Sequence, residues 1–430
     1  MKRTLIKTRK KLFIFTFFIF LTGYIFVSNY QTSSNDKTNL IKQNLEKREI
    51  KKEIQNVEIT SRILTSTRIS TKIKNLTKRK RFFAVDASGM AIMSTSLEKC
   101  DRNLEVEIRP VNLDEKNDFV YSLDRVPGLK TDREKYVMVF AMESEPHSIG
   151  GEPWIDADFK MWYNLDLSFP APATYFDMHT FLPDLLSPPK VNFKDKEQNS
   201  SLVWILSNCN AYNGRERYVE KLMTKLNVDS YGYCLQNKFS HTNERMRGNI
   251  DLYSKYKFVI AIENSNCQDY VTEKLVHAVA SGSIPIVAGK NNKPDYLRFM
   301  PKNSYINIYD YKTIDDLVLK IKSIAENPSE YESYIKFKRK HNFTREALYK
   351  KSLNELIDLA KTVFDPNEMF IQNLVLKETS ESKLCKVARY LQETPEEIVR
   401  NAIKSHKQAR PSPEEACLPR YNIVNDFKLE

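Results

Sequence analysis

Glycine is scarce in this chain, at 10 residues among 430, and this scarcity argues against glycine-rich linkers or repeats. The chain contains neither a P-loop nor a GxGxxG motif, so ordinary ATP and NAD sites have no support. Its six cysteines include no CxxC pair and no Cys/His zinc spacing. The 41% hydrophobic, 11% aromatic and 28% charged residues exclude wholesale disorder, collagen and polytopic membrane proteins. The length of the chain predicts two domains with cores of their own.

The net charge of +12 is distributed unevenly along the chain. Residues 1–82 hold 20 Lys/Arg against 5 Asp/Glu, which leaves 47 against 50 for the remainder. The globular part is therefore nearly neutral, and the basic excess belongs to an N-terminal tail. A nucleic-acid binder is excluded, since the folded part also lacks interleaved aromatic and basic residues.

An apolar run, Leu12–Val27, follows six basic residues at the N-terminus. With its polar flank the segment 12–30 has about 19 residues, which just spans a thin bilayer. The positive-inside rule places the tail 1–11 in the cytosol and the rest of the chain across the membrane. The alternative is a cleaved signal peptide, but the run is long for one and no small-x-small cleavage site follows. The prediction is a transmembrane signal-anchor with type II topology.

A lumenal location has two consequences for modification. Three N-x-S/T sequons become candidate glycosylation sites, at Asn75, Asn199 and Asn342. An even number of cysteines without metal spacing fits either disulfides or core thiols, and an oxidising lumen favours disulfides. The cysteines are Cys100, Cys209, Cys234, Cys267, Cys385 and Cys417.

The composition divides the remaining chain into four segments. Residues 31–81 are polar and basic and indicate a stem, with a short amphipathic helix around 40–57 as the alternative. Residues 82–198 form a first globular half, in which 119–121 and 136–141 are predicted buried strands. A proline-rich interval, 170–189, precedes the second half, 199–365. Residues 366–430 are a C-terminal extension.

The second half alternates between predicted strands and helices. The strands are 202–207, 257–262, 284–288 and 305–309, and the helices are 215–226, 272–280 and 314–325. This alternation predicts an α/β fold with a parallel sheet, whose ligands bind at the carboxyl ends of the strands. Two such halves facing a cleft are the expected architecture.

The most informative stretch is 256–289. An apolar strand ends in Glu263-Asn264-Ser265, and a helix opens with Thr272-Glu273-Lys274. A helix N-terminus favours anions, so a lysine in its first turn would be explained by a bound phosphate. Glu273 could accept hydrogen bonds from sugar hydroxyls. The alternative is a threonine cap followed by two solvated charges.

This stretch resembles the donor-binding signature of the α1,3/1,4-fucosyltransferases, glycosyltransferase family 10. The matching residues are Phe258, Glu263-Asn264-Ser265, Asp269-Tyr270, Thr272-Glu273-Lys274 and 282–287. Upstream, 203–210 with Gly214-Arg215 resembles a second family segment, and Met142-Glu143-Ser144 lies where the family has Glu-Ser-Pro. The resemblance covers about 100–350, and so many matches at fixed spacing outweigh the capping interpretation.

The resemblance implies a GT-B fold, in which two Rossmann-like domains face a cleft and the second binds GDP-fucose. It implies a Golgi enzyme that transfers fucose with inversion, in α1,3 linkage, onto N-acetylglucosamine-containing glycans of glycoproteins. Glu143 is then the candidate base, while Lys274 and Arg215 are candidate clamps for the donor diphosphate. Asn264 and Glu273 would hold ribose or fucose hydroxyls. These cations make a metal unnecessary for charge balance, although stimulation by Mn²⁺ is compatible with the site.

Two departures from the family pattern, at Glu145 and at Pro170–Thr174, bear on the proposed chemistry. Glu145 adds a second acid and is a rival candidate for the base. Pro170–Thr174 replaces an arginine and two acids, which leaves open an inactive member that binds donor or glycan, or a polypeptide or atypical acceptor. Asp156-Ala157-Asp158 has the form of a DxD metal motif. That motif is common by chance and lies far in sequence from the donor segment, so no metal ligand is predicted.

Overall fold

The computed structural model describes residues 27–28, 80–86, 96–100, 103–109, 118–123, 136–147, 157–239, 247–375, 382–409 and 411–429. The predicted cytosolic tail, Asn75 and Asp156 lie outside these residues, as does nearly all of the predicted span and stem. Within the described ranges, no helix has both the length and the apolar character needed to cross a bilayer.

The described residues contain thirteen strands. They are β1 (Val27–Ser28), β2 (Lys80–Asp86), β3 (Ser96–Cys100), β4 (Leu104–Arg109), β5 (Phe119–Leu123), β6 (Tyr136–Ala141), β7 (Phe159–Trp162), β8 (Tyr175–Phe176), β9 (Leu202–Leu206), β10 (Val228–Gly232), β11 (Phe258–Ile260), β12 (Ile284–Val287) and β13 (Ile306–Asn307). The first sheet has the order β3-β4-β2-β5-β6-β7, and the second has the order β10-β9-β11-β12-β13. Strands β1 and β8 form a separate antiparallel pair.

Twelve α-helices accompany these strands in the described residues. They are α1 (Met178–Leu186), α2 (Arg215–Met223), α3 (Arg247–Ser254), α4 (Glu273–Ser281), α5 (Ile314–Glu326), α6 (Pro328–Ile335), α7 (Arg345–Tyr349), α8 (Leu353–Val363), α9 (Lys383–Glu393), α10 (Glu396–Gln408), α11 (Pro413–Ala416) and α12 (Asn422–Asp426). Short 3₁₀ turns cover Glu145–His147, Phe193–Asp195, Tyr296–Arg298, Ile308–Asp310 and Lys336–Arg339, and Ile371–Val375 is π-helical.

The first sheet is parallel except for its edge pair β3/β4. Strand β6 is rich in β-branched and aromatic residues, which suit a pleated, buried surface, and all but its first residue are buried. Helices α9 and α10 supply Leu384, Val387, Val399 and Ile403 to the apolar core of this sheet. The late helices of the chain therefore pack on its first sheet.

The second sheet is parallel throughout. Every residue of β11 and β12 is buried, as expected for a parallel sheet covered on both faces. Helices α2, α5 and α6 contribute to the core on one face, and α1, α4 and α8 contribute to the core on the other. Helix α5 begins at a capping box formed by Thr313 and Asp316, which satisfies backbone donors at its first turn.

The prediction of an α/β fold with parallel sheets is confirmed. The predicted strand 136–141 is β6 itself, and the predicted helices 215–226, 272–280 and 314–325 correspond to α2, α4 and α5. The predicted strand 305–309 is shorter, because after Asn307 the chain enters a 3₁₀ turn. The Oδ1 of Asn307 accepts the backbone N–H of Gly289 at 2.9 Å and that of Tyr309 at 3.3 Å, which turns the chain at this point.

Candidate functional site

The candidate site lies where strands from the two sheets end and meet. Glu143 follows β6, Asn264 follows β11, and Arg215 opens α2 after β9. An interface core of apolar residues lies beneath them, formed by Ala141, Trp162, Tyr163, Cys267, Tyr270, Ala416 and Cys417. The carboxyl ends of parallel strands thus converge here, as the sequence predicts for ligand sites in such folds.

Glu143 is half-buried and held by one of its two carboxylate oxygens. Its Oε1 accepts the backbone N–H of Ser144 at 2.9 Å, Nδ2 of Asn264 at 3.3 Å and the hydroxyl of Tyr270 at 2.5 Å. No residue of the described ranges donates a hydrogen bond to Oε2 of Glu143. The carboxylate is therefore oriented through one oxygen while the other remains able to accept a proton.

Glu145 lies against the interface core. Its Oε2 accepts the hydroxyl of Tyr163, and Nζ of Lys160 lies 3.9 Å from its Oε1. That same ammonium lies 3.3 Å from the ring centroid of Trp162. Burial raises the pKa of Glu145 to about 7, opposed by the charge of Lys160. Its Oε1 has no hydrogen-bond partner among the described residues, so this carboxylate is costly to keep ionised.

One group of potential metal ligands occurs in the described residues, formed by Glu145, Cys267 and Cys417. The two cysteines are joined to each other by a disulfide, and a metal-binding cysteine must be a thiolate. That leaves Glu145 as a single carboxylate. The described half of the DxD motif, Asp158, accepts the backbone N–H of Val137 at 2.9 Å and pairs with Lys407 at 3.0 Å. Through Asp158 these contacts tie strand β6 to helix α10.

The helix that opens with Glu273 and Lys274 contains an internal ion cluster. Glu263, which is almost fully buried, accepts the backbone N–H of Thr272 at 2.7 Å and pairs with Nζ of Lys274 at 3.0 Å. Lys274 also pairs with Glu273 at 3.1 Å. The cluster supplies a second explanation for a lysine in the first turn of α4, beside the phosphate that the sequence suggests.

The charges of this cluster shift its pKa values. Burial acts to raise the pKa of Glu273, but the charges of Lys274 and His277 lower it to about 2. Burial also raises the pKa of Glu263, against the opposing charge of Lys274. The role of Glu263 was missed from the sequence, although it is the first residue of the Glu-Asn-Ser motif.

Arg215 is fully buried at the start of α2. Its Nη1 donates to the carbonyl of Ile262 at 2.5 Å, while its Nε has no partner among the described residues. The preceding residue, Gly214, has φ +74°, and a Cβ there would come 2.5 Å from Val424. Glycine is thus required at this helix start by both the backbone conformation and the close approach of the C-terminal segment.

The C-terminal segment 416–424, called the strap below, is attached to the loops around the site. A disulfide joins Cys417 to Cys267, and Leu418 N–H donates to the carbonyl of Asn266 at 2.8 Å. Further along, Tyr421 N–H donates to the carbonyl of Tyr212 at 2.7 Å. The strap therefore holds together the loops that follow β9 and β11. The other disulfides are Cys100–Cys385 and Cys209–Cys234, so the prediction of disulfides is confirmed.

His147 was also missed from the sequence. It ends the 3₁₀ turn after Glu143, and its Nε2 accepts the backbone N–H of Tyr212 at 3.3 Å. The side chain belongs to the first half of the chain and Tyr212 to the second. No motif separates such a histidine from an ordinary half-buried one.

The structure brings the predicted site residues together only in part. Glu143 and Asn264 are in direct contact, and Lys274 and Glu273 pair with each other. Arg215 joins them through Ile262, the residue before Glu263. Asn199 and Asn342 are exposed, away from the interface core.

The replaced segment Pro170–Thr174 packs beside β7. Its Ala173 is buried and donates its N–H to the carbonyl of Trp162 at 2.8 Å. A charge cluster still lies nearby, since Arg298 pairs with Asp269 at 3.0 Å and with Asp166 at 2.8 Å. Asp269 is fully buried, and burial raises its pKa to about 7 against the opposing charge of Arg298.

Residues 194–406 match the model for the C-terminal region of glycosyltransferase family 10 (fucosyltransferase). This region, just under half of the chain, belongs to that family. The resemblance drawn from the sequence is thereby confirmed, and the match covers the second sheet, the motif 256–289 and the helices that follow them.

The family relatives differ in the acceptors that their names indicate. The chain is 33% identical over 160 residues to GDP-fucose protein O-fucosyltransferase 3 of Gallus gallus, which covers 36% of this chain and 33% of that protein. It is 36% identical over 156 residues to alpha-(1,3)-fucosyltransferase B of Drosophila melanogaster, covering 34% of each. The matched region spans about a third of the length of these curated relatives.

Among solved structures, the chain is similar to an α1,3-fucosyltransferase crystallised with GDP-fucose. The TM-score is 0.44 at 16% identity, and the match covers 68% of this chain and 94% of the other.

Proposed function

We propose that this chain is an inverting fucosyltransferase that uses GDP-fucose and transfers fucose in α1,3 linkage to N-acetylglucosamine-containing glycans of glycoproteins. The observation that carries the proposal is Glu143, which is anchored through Oε1 by Asn264 and Tyr270 of the family motif. A base held in this way, with its second oxygen available, suits proton abstraction from a hydroxyl. Membership of family 10 supports the choice of fucose chemistry.

In the proposed reaction, the acceptor hydroxyl attacks the anomeric carbon of fucose from the face opposite the diphosphate. A new carbon–oxygen bond forms while the bond from that carbon to the phosphate oxygen breaks. The electron pair of the broken bond leaves with GDP, and the hydroxyl proton passes to Oε2 of Glu143. Lys274 and Arg215 stabilise the developing charge on the diphosphate, and Asn264 and Glu273 hold sugar hydroxyls.

Glu143 is the better candidate for the base than Glu145. The carboxylate of Glu145 contacts Tyr163 and lies 3.7 Å from the sulfur of Cys417, within the interface core. Its raised pKa of about 7 leaves it largely protonated in mildly acidic solution. The Oε1 contacts of Glu143 orient its carboxylate without occupying the second oxygen.

A polypeptide acceptor is the second candidate function. The name of one relative specifies protein O-fucosyltransfer, and Pro170–Thr174 replaces charged residues that the family pattern has at this place. An inactive member that binds donor or glycan is the remaining alternative. Arrays of glycans and of peptides, each supplied with GDP-fucose, distinguish the three possibilities directly.

We propose the predicted GT-B architecture and a type II location in the Golgi membrane for the same protein. The two parallel sheets that meet at Glu143 support the first. The basic tail, the apolar run 12–27 and the three disulfides support the second. Protection of the C-terminus from protease in sealed Golgi vesicles, lost on adding detergent, is the expected result. Cleavage in intact vesicles contradicts the topology.

The test of the reaction uses the full chain in detergent with GDP-fucose and both arrays, beside the variants Glu143→Gln and Glu145→Gln. Loss of a general base lowers the transfer rate about 10²–10⁴-fold, so Glu143→Gln should lose transfer while it still binds GDP. Glu145→Gln should retain most of its activity.

Transfer that survives Glu143→Gln and is lost in Glu145→Gln assigns the base to Glu145. GDP-fucose binding without transfer to any acceptor identifies an inactive member. Repeating the assay with EDTA and with Mn²⁺ measures any metal dependence.

A further inference from the structure

The segment Glu143–His147, called the base loop here, is fastened at both ends to the second half of the chain. Glu143 contacts Asn264 and Tyr270 at one end. Ser144 Oγ donates to Ser265 Oγ at 3.0 Å. At the other end His147 contacts Tyr212, in the loop that follows β9. The position of the candidate base thus depends on contacts that cross between the two halves.

The contact of His147 requires a neutral imidazole. Its Nε2 accepts the backbone N–H of Tyr212, so the ring proton must lie on Nδ1. An imidazolium carries a proton on both nitrogens and has no acceptor left. Protonation therefore places the Nε2–H of His147 against the backbone N–H of Tyr212, and a repulsive contact between two donors replaces the hydrogen bond. The Tyr212 ring also meets the imidazole edge to face, at 6.5 Å between centroids.

The surroundings of His147 favour the neutral form. Burial is the largest effect and lowers its pKa below the usual 6.5, and Arg215 on α2 and Arg420 on the strap lower it further. The carboxylate of Glu143 and a hydrogen bond to the backbone of Asn264 act in the opposite direction. Helix α11, which packs on the same turn, carries Glu414 and Glu415, and Glu145 lies within the turn. The net shift is downward.

We propose that His147 is a positioning residue that docks the base loop onto the loop after β9 only while its imidazole is neutral. The pKa of His147 is lower in the docked state than in the undocked state. Docking is therefore fully favoured above about pH 6.5, and the undocked state gains population as the pH falls below that value. The consequence for catalysis rests on the proposed fucosyltransferase function. The docking itself does not, because it involves only residues of this chain.

Hydrogen exchange at the amide of Tyr212 tests the docking directly. The full chain without ligand is exchanged between pH 5.0 and 8.0, with rates corrected for intrinsic exchange and resolved to Tyr212 by overlapping peptides. A free histidine of pKa 6.5 is about tenfold more protonated than neutral at pH 5.5, so protection should fall by up to about tenfold between pH 7.5 and 5.5. Protection that stays constant over this range overturns the proposal.

Four variants separate docking from other titrations. In His147→Gln the amide oxygen can still accept the Tyr212 N–H without titrating, so protection should persist at both pH values. In His147→Ala it should be lost at both. His179→Gln alters an exposed histidine on α1 and should behave as wild type. Glu145→Gln removes the titrating carboxylate of the base loop that lies two residues from His147, and the pH dependence should remain. A His147→Gln protein that keeps the wild-type pH dependence overturns the proposal even if His147→Ala fails to fold.

GDP affinity, measured by calorimetry over the same pH range, tests whether the docking of His147 affects the candidate site. Affinity should fall several-fold more from pH 7.5 to 5.5 for the wild type than for His147→Gln, in which only the terminal phosphate of GDP and the other titrating groups contribute. If GDP fails to bind at every pH, the proposed function is wrong while the exchange data still decide the docking. If GDP binds with the same pH dependence in wild type and His147→Gln, the role of His147 at the site is wrong.

Discussion

The two sides of the site are held together over very different distances along the chain. In the ion cluster at the start of α4, Glu263 reaches Thr272 across nine positions, and Lys274 pairs with the adjacent Glu273. On the base loop, Glu143 reaches partners 121 and 127 positions away, Asn264 and Tyr270. The strap adds a disulfide between residues 150 positions apart.

This difference assigns different roles to the two sides. The ion cluster is local, so it can form as soon as β11 and α4 are in place. The base loop is positioned only when both sheets and the strap have assembled, because its partners come from each of them. Donor recognition and placement of the base are therefore expected to respond separately to substitution.

The largest expected effect comes from removing long-range cross-links. On the chain-entropy model, a disulfide that closes 150 residues contributes about 5 kcal/mol, and one that closes 25 residues about 3.5 kcal/mol. Replacing both Cys267 and Cys417 by Ser should therefore destabilise the protein more than replacing both Cys209 and Cys234. Guanidinium unfolding midpoints measure the order, and a reversed order contradicts the account. The variant that lacks Cys267 and Cys417 should also lose transfer activity, because the strap is no longer linked to the loop after β11.

The second effect concerns the local ion cluster. Glu263→Ala removes the buried partner of Lys274 and the acceptor of the Thr272 N–H, at a cost of about 3 kcal/mol. The matched control is Glu330→Ala, which breaks the more exposed pair with Lys320 and should cost under about 1 kcal/mol. Urea unfolding compares the two. Equal losses for both variants would show that Glu263 is not a structural anchor.

The smallest expected effect is a gain in the free energy of unfolding at high pH when Glu145, in contact with the interface core, is replaced by Gln. The pKa of Glu145 is raised to about 7 in the folded protein, so its favourable contribution is complete below about pH 4.5 and is lost as the pH rises through 7. Glu145→Gln, which stays neutral, should therefore be more stable than wild type at pH 8, by about 1–2 kcal/mol. At pH 5 the two should differ little.

Melting temperatures at pH 5 and pH 8 make that comparison. The exposed Glu197, changed to Gln, serves as the control and should show no such pH-dependent difference. A gain in Glu145→Gln at pH 5 as large as that at pH 8 would mean that ionisation of Glu145 is not the cause.

Local patterns predicted much of the second half. The positions of β9, β11 and β12 followed from short apolar runs, and α2 and α5 followed from helical periodicity, because these elements bury residues at regular spacing. Helices α9 and α10 could not be placed in the same way. Their apolar stripes indicate that they pack on something, but periodicity does not specify which sheet they cover.

The sequence by itself determined the family, the α/β class and the residues of the donor motif, since these depend on residue types at short fixed spacing. Only the tertiary structure paired Cys267 with Cys417, showed that Tyr270 and Asn264 orient Glu143, and brought His147 to Tyr212. Each of these contacts joins segments that lie far apart in the chain. Their meeting depends on how two sheets and the strap pack against one another, and that packing has no local signature in the sequence.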